Sequence, residues 1–572
     1  MGLEHVVLCP GSRSGPLALA VGGLSKLGRL RLHTSLDERS AAFLALGIST
    51  SCGKAAAIIT TSGSAVANLL PAAVEADRST KPLLFITADR PQRLKNCGAN
   101  QSVNQEDFLL PACRYFCEGP SKGLHFADLD QVNNIAKRLW DHAHRIPGPV
   151  HLNLPLEEPL HPSAKDQELI WFDFERSVSD SLIDRNLAHL SRYQENDKVQ
   201  FPDLDHGKPG VIVIGPWRGN EAQLEEFKRV IYSWQNLSKW PIFADPLSGL
   251  SDKNLSIIYN WDILLQLNPQ LFESDLQVLR LGPLPASKSL ENWLVKIGKK
   301  QLLITEGEAR SLDPLKLSEQ FSKGFAEWWN LRSSNQLTNY VSNSIEDDST
   351  FISLFKHDEL INGLLDYLLP LQGEINEPGL ARWLPRLLPD DIPVMLSASS
   401  PVRDFMTYSG EGNMSRRFFG FRGASGIDGT LSLAMGLSIS LGKLALVTGD
   451  LALLYDTNGW LMSDLVNTPL LVILIDNGGG GIFNRLGLEP STKFDIDQLF
   501  LMPQNVDQLS LVEAYGIPTR QISSFEDLEI AIEWGLSKQG PVLLRVCTNS
   551  SRDMILRNKI YNDLVRHIEL NS

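Results

Sequence analysis

The chain has 572 residues, 43% hydrophobic and 21% charged, with a net charge of −14, too long for one core and ordinary enough to predict three or four soluble domains. The acidic balance excludes nucleic acid as a general partner, because no surplus of Lys and Arg is available to neutralise phosphates. No apolar run nears the roughly 18 residues of a membrane span, and no signal peptide precedes the first motif, so a cytoplasmic protein without membrane insertion is expected. Any anionic substrate must then be held by locally placed Arg or Lys. The cysteines lack paired zinc spacing: Cys113 and Cys117 lie close together without a second pair, so core or free thiols in a reducing compartment are expected. Met1-Gly2 lacks the myristoylation pattern, since Val6 stands where Ser or Thr is needed.

Val6-Val7-Leu8 reads as a strand leading into the turn Pro10-Gly11-Ser12-Arg13-Ser14. Leu30 to Leu36 reads as the next, followed by Asp37-Glu38-Arg39 and a helix from Ser40 to Ile48. Ala55 to Ile59 runs into Thr60-Thr61-Ser62-Gly63-Ser64, and Leu83 to Thr87 into Ala88-Asp89-Arg90-Pro91. Strand, turn and helix in repetition are the rhythm of a parallel doubly wound sheet, which spans residues 1–165. The first strand begins almost at once, without the usual covering helix, so a truncated start stays open. Glu38 has two readings: it complements the positive end of its helix, or it is a strand-end carboxyl whose pKa a mostly apolar pocket raises. Arg13 and Arg90 each follow a strand end on one rim. A single Arg there is an ordinary solvated loop residue, but two, joined by Gly98-Ala99-Asn100-Gln101, read as a carboxylate-binding wall.

A polar stretch near 162–205 dilutes the pattern. Gly210-Val211-Ile212-Val213-Ile214-Gly215 opens a second α/β unit, residues 200–345, rich in Trp and Leu and ending in a polar segment, 342–350. A third unit, residues 374–572, carries the runs Val394 to Ser397, Leu444 to Thr448, Leu470 to Ile475 and Val542 to Val546. Gly449-Asp450 ends one run and Asn477 follows the next. A helix-length link makes the two runs a right-handed crossover, which sets Asp450 and Asn477 side by side at the carboxyl ends of adjacent strands, where such sheets bind ligands. With the Gly479 carbonyl they form a hard oxygen half-shell that suits Mg²⁺; an ordinary turn is the competing reading. Gly478-Gly479-Gly480-Gly481 reads equally as a flexible turn or as a loop that orders over a ligand.

The spacing of Asp450 and Asn477 resembles the thiamine-diphosphate (ThDP) signature, with Leu451 for its final Gly and Asp476 for its first Asn. A more specific resemblance runs through Cys9-Pro10-Gly11-Ser12-Arg13-Ser14, Asp37-Glu38-Arg39, Thr61-Ser62-Gly63-Ser64-Ala65-Val66-Ala67-Asn68-Leu69, Thr87-Ala88-Asp89-Arg90-Pro91 and Cys97-Gly98-Ala99-Asn100-Gln101. It continues through Arg422-Gly423-Ala424-Ser425-Gly426-Ile427-Asp428-Gly429 and Gly449-Asp450-Leu451. In this order the motifs resemble the MenD family, the 2-succinyl-5-enolpyruvyl-6-hydroxy-3-cyclohexene-1-carboxylate (SEPHCHC) synthases of menaquinone and phylloquinone biosynthesis, which carry Leu at the position of Leu451.

The resemblance implies a transferase with a pyrimidine-binding domain (1–165), a central domain (200–345) and a diphosphate-binding domain (374–572). It implies ThDP and Mg²⁺, or Mn²⁺, bound between the first domain of one subunit and the third of another, in a homodimer or homotetramer. The implied reaction has 2-oxoglutarate add to the cofactor and lose CO₂, after which isochorismate captures the product by 1,4-addition. By position, Glu38 becomes the catalytic acid on the aminopyrimidine N1′, and Asp450, Asn477 and the Gly479 carbonyl become metal ligands. Ser62, Gly63, Ile427, Ile482, Phe483 and Leu486 fall beside the cofactor. Ser399, Arg403 and Arg422 fall on the part derived from 2-oxoglutarate, and Arg13, Arg90, Asn100 and Gln101 on isochorismate. Lys288 matches the lysine of a central segment that reaches the site, while Ser289 stands where some members have Arg. Another ThDP-dependent 2-oxo acid carboligase or decarboxylase is the competing enzyme class, disfavoured by the Arg wall and the lack of a His-His pair.

Overall fold

The computed structural model describes residues 1–121, 123–180, 202–251, 254–268, 276–297, 300–308, 310–335, 349–414, 416–486 and 494–571. Most of the polar segment 342–350 and the boundary expected at 200 lie outside them. The strands form three wholly parallel sheets of six, five and six strands. The first sheet lies in one compact unit, Met1–Asp77 with Lys81–Phe201, and the other two lie in a second, Arg78–Thr80 with Pro202–Ser572.

In the first unit, β1 (His5–Leu8), β2 (Arg31–Thr34), β3 (Ala56–Thr60), β4 (Leu83–Asp89), β5 (Tyr115–Glu118) and β6 (Pro149–Pro155) are ordered β2-β1-β3-β4-β6-β5. Helices cover parallel sheets on both faces, and Val6, Val7, Ile58, Leu83 and Phe85 are accordingly buried. The strand order reverses between β1 and β3, so the loops after these strands part and leave a crevice at their carboxyl ends. Arg13 follows β1 and Ser62-Gly63 follow β3 at that point. The helix Glu38–Cys52 is longer than the sequence pattern alone suggested. Asp37 caps it by accepting the Arg39 and Ser40 N–H groups, and Gly53, at φ 69°, ends it. Part of the polar stretch after residue 162 is also helical, Ala164–Asp180.

The middle sheet, β7 (Gly210–Ile214), β8 (Ile242–Ala244), β9 (Gln277–Leu281), β10 (Lys300–Ile304) and β11 (Ser318–Phe321), has the order β11-β10-β9-β7-β8. Trp234, Trp240, Trp261, Trp293 and Trp328 are buried in this part of the chain, which accounts for its Trp-rich composition. The third sheet contains β12 (Val394–Leu396), β13 (Phe418–Gly420), β14 (Leu444–Gly449), β15 (Leu470–Asp476), β16 (Thr519–Ile522) and β17 (Pro541–Cys547), in the order β13-β12-β14-β15-β17-β16. Gly449 pairs with Ile475 at the end of the β14–β15 register, so Asp450 and Asn477 leave neighbouring strands at the same edge. Asp476, the departure from the ThDP signature, accepts from Arg545 Nε at 2.8 Å. Arg545 stands on the neighbouring β17, opposite Leu474, so the carboxylate has a local ionic reason. All six cysteines are free thiols, and no helix among the described residues is long and apolar enough to cross a membrane.

Candidate active site

On the first unit, Arg13, Ser62, Gly63, Arg90 and Gln101 share the carboxyl rim of β1, β3 and β4. Arg13 is buried, donating from Nη1 to Leu156 O at 2.8 Å and from Nη2 to Glu158 Oε1 at 3.4 Å. Arg90 donates to Ser62 Oγ and, from Nη2, to Gln101 Oε1 at 3.3 Å. Burial, and then the nearby Arg13 guanidinium, pull Arg90 below its ordinary pKa, the mark of two cations held close with their charge only partly answered. Gln101 adopts φ 55°, an uncommon backbone for a non-glycine residue; it and Asn100 are exposed.

Glu38 takes the first position of its helix, half-buried, and its Oε2 accepts from Asn68 Nδ2 at 3.2 Å. The mostly apolar surround expected for it is not closed by this chain: Leu36, two residues earlier, is 80% exposed.

Sequence reasoning missed the polar layer that holds this rim. Asp89 accepts the Arg90 N–H at 2.7 Å, the Asn153 amide at 2.9 Å and Lys95 at 3.0 Å. Gln105 accepts the Gly63 N–H at 3.0 Å and donates to Ala88 O at 3.0 Å and Asn153 Oδ1 at 2.8 Å. Every one of these groups is satisfied internally, which makes the layer rigid.

The second unit holds two further groups of residues. Lys288, Arg403 and Arg422 line one cleft of about 540 Å³. Arg218, which no motif marked, lines it too and donates from Nη2 to Arg422 O at 2.5 Å. Burial first, then Arg422 and Arg485, lower the pKa of Arg403. Its Nη1 donates to Ser399 O at 2.7 Å. Ser399 sits at φ 77°, ψ −129°, a strained backbone costing about 1–3 kcal/mol that aims this carbonyl at the guanidinium. Lys288 pairs with Glu291 at 2.8 Å, and Ser289 is half-buried beside it.

Asp450 opens the helix Asp450–Tyr455. Its Oδ1 accepts the Leu451 N–H and its Oδ2 the Gly479 N–H, each at 2.7 Å. Burial nevertheless pushes this carboxyl up to about 6, so the two donors do not compensate the desolvated charge. The Asn477 Nδ2 donates to Glu377 Oε1 at 2.6 Å, while its Oδ1 is buried without a hydrogen-bond partner among the described residues.

A carboxylate and an orphaned amide oxygen at one strand edge fit a hard divalent cation and a diphosphate. No cluster of three or more His, Cys, Asp or Glu side chains suited to a metal occurs among the described residues, so amide, carbonyl and phosphate oxygens would complete such a site. Gly479 meets Asp450 through its N–H, while its carbonyl accepts the Gly481 N–H at 2.8 Å. Gly479 has φ 125°, and a Cβ there would lie 2.1 Å from Leu501 O, so only glycine fits. The segment Gly481–Leu486 follows, with Ile482 and Phe483 half-buried; the Leu486 side chain lies outside the described residues. Ile427 is 36% exposed.

Comparison with known proteins agrees with this geometry. Residues 1–108 match the family model "Thiamine pyrophosphate enzyme, N-terminal TPP binding domain", and residues 406–546 match "Thiamine pyrophosphate enzyme, C-terminal TPP binding domain". A SEPHCHC synthase of Prochlorococcus marinus (strain MIT 9313) is 52% identical, covering 100% of this chain and 98% of the relative. One of Synechococcus sp. (strain CC9311) is 51% identical, covering 98% and 97%. Among solved structures, an enzyme from Mycobacterium smegmatis described as thiamin diphosphate-dependent shares the fold, with TM-score 0.62 at 16% identity over 96% of this chain and 97% of that one. The chain therefore belongs to the SEPHCHC synthase (MenD) family of thiamine-diphosphate-dependent transferases.

Proposed function

We propose that this enzyme joins 2-oxoglutarate to isochorismate with loss of CO₂, using ThDP and Mg²⁺, or Mn²⁺ in its place, in the cytoplasm. The observation that carries the substrate assignment is the cleft in which Arg218, Lys288, Arg403 and Arg422 converge in a protein of net charge −14. Such a concentration of cations suits a dicarboxylic keto acid, whose two charges Arg forks hold with fixed geometry. Arg13 and Arg90, with Asn100 and Gln101 in the same rim loop, suit the carboxylates of isochorismate. When bound, ThDP would supply a nucleophilic carbon for the keto carbon of a 2-oxo acid and an acceptor for the electron pair left when that keto carbon loses CO₂.

The residues of this chain do the rest. Glu38 gives a hydrogen bond to the pyrimidine N1′ and holds its proton there. Asp450, the Asn477 amide oxygen and the Gly479 carbonyl hold the cation that neutralises the diphosphate. Ser62, Gly63, Ile427, Ile482, Phe483 and Leu486 shape the walls and keep water out. Residues 1–165, 200–345 and 374–572 serve as pyrimidine-binding, central and diphosphate-binding portions. A homodimer or homotetramer, with active sites at subunit interfaces, agrees with the 80% exposure of Leu36 beside Glu38, since a large apolar side chain next to a catalytic acid calls for a cover.

Substrate choice tests the reading. With ThDP and Mg²⁺, CO₂ release should be much faster from 2-oxoglutarate than from pyruvate, which lacks the second carboxylate, and isochorismate should accelerate it. Preference for pyruvate would assign the protein to another class of 2-oxo acid carboligase.

A further inference from the structure

We propose that Glu377 is a positioning residue that fixes the Asn477 amide with its oxygen, rather than its nitrogen, toward the cation. The inference rests on the reading of Asn477 as a cation ligand and extends it to a residue a hundred positions away. An asparagine amide has the same shape in either orientation but opposite chemistry, and only its hydrogen-bond partners decide which end points where. Here the partner is a carboxylate: Asn477 Nδ2 donates to Glu377 Oε1 at 2.6 Å. An ionised carboxylate only accepts, so the NH₂ group must face it and Oδ1 must turn away. That oxygen is buried and has no hydrogen-bond partner among the described residues.

Glu377 is itself held from several sides. It is 3% exposed and begins the helix Glu377–Leu387, where the Asn376 side chain caps Gly379. Its N–H donates to Asp553 Oδ2 at 3.2 Å. Its Oε2 accepts from Arg557 Nη2 at 2.8 Å, and the same nitrogen reaches Asp404 Oδ2 at 2.8 Å. Asp404 also holds Arg485 at 2.6 Å. Arg557 thus holds Glu377 in place, and Arg485 Nη2 lies 3.7 Å from its Oε2. On the Asn477 side, a Cβ at Gly481 would come within 2.7 Å of Nδ2, so the backbone crowds the amide there. Partners of this kind typically change metal affinity by about 10–100-fold when removed.

The test is calorimetric titration of ThDP at graded Mg²⁺ into the full-length protein. Wild-type binding should depend on Mg²⁺, and Asn477→Ala should weaken that dependence; if neither holds, the cation reading fails and this inference with it. Given both, Glu377→Met, which keeps the volume and removes the acceptor, should raise the Mg²⁺ needed for half-maximal ThDP binding by about 10–100-fold, with binding recovered at saturating Mg²⁺. A folded Glu377→Met protein with an unchanged Mg²⁺ requirement overturns the inference while leaving the cation site intact. A reversed pair decides independently, including where Glu377→Met does not fold. Asn477→Asp sets two carboxylates against each other, and adding Glu377→Gln lets the new amide donate to Asp. The double variant should bind ThDP at least tenfold more tightly at limiting Mg²⁺ than Asn477→Asp alone; no recovery overturns the inference.

Discussion

Replacing Asp450 by Asn separates the charge of this side chain from its shape. Burial raises the carboxyl from 3.8 to about 6, and at 1.36 kcal/mol per pK unit ionisation costs the cofactor-free fold about 3 kcal/mol. The folded-state pKa lies above the unfolded one, so this group's stabilising contribution is complete below the unfolded value and is lost as pH rises through about 6. Asn removes the penalty, but its NH₂ must then face one of the two backbone N–H groups that approach the carboxylate at 2.7 Å, at a cost of about 1–2 kcal/mol. The apo variant should therefore be more stable than wild type by about 1–2 kcal/mol near pH 8, an advantage that shrinks below about pH 6 and reverses below about pH 4. Asp553, pushed up to about 7 by burial and by Glu377, adds a pH dependence of the same sign to both proteins, so the difference between them reports Asp450. Denaturation of both metal-free proteins across this pH range measures it, and titration with ThDP with and without Mg²⁺ shows whether the stabilised variant has lost metal-dependent binding. A variant less stable than wild type near pH 8, or one that keeps Mg²⁺-dependent binding, refutes the reasoning.

Glu38→Gln should keep the fold and ThDP binding while turnover falls about 10²–10⁴-fold; near-normal turnover removes Glu38 from the mechanism. A hydrogen bond to a charged group is worth roughly 1.5–3 kcal/mol, so Arg403→Ala should raise the KM for 2-oxoglutarate about 10–100-fold. Arg90→Ala should mainly impair capture by isochorismate and leave CO₂ release from 2-oxoglutarate alone detectable; if both variants lose both substrates equally, the two Arg sites do not divide the work. Gly479→Ala, whose Cβ would meet Leu501 O at 2.1 Å, should weaken Mg²⁺-dependent ThDP binding far more than Gly478→Ala, whose Cβ would meet no described atom beyond its chain neighbours within 4 Å. Equal effects would mean that backbone conformation alone, and not the close approach, constrains the loop.

Strands were legible where they are apolar throughout, as in Leu470 to Ile475, and illegible where a strand carries buried polar side chains. β6 contains His151 and Asn153, both fully buried, and its run of Pro149–Pro155 does not read as a core strand. Thr87 meets the His151 Nε2, and Thr87, Gln105 and Asp89 meet the Asn153 amide, a solution visible only after β4 and β6 pair. The middle sheet hid Arg280 for the same reason: it is buried in β9 and paired with Asp313 at 2.8 Å. Asp450 and Asn477 could be read because strand ends and crossover geometry are local. Glu377 could not, since a Glu in a first helical turn is ordinary and only the tertiary fold brings it to Asn477. Arg218 likewise follows a strand without any motif, and the cleft alone marks it.

The most direct test is mass-spectrometric analysis of the purified protein incubated with isochorismate, 2-oxoglutarate, ThDP and Mg²⁺. The expected result is one product containing all atoms of both substrates less one CO₂, formed only when both substrates and ThDP are present. Release of CO₂ with no adduct to isochorismate, or no turnover of 2-oxoglutarate by protein that binds ThDP, would contradict the account.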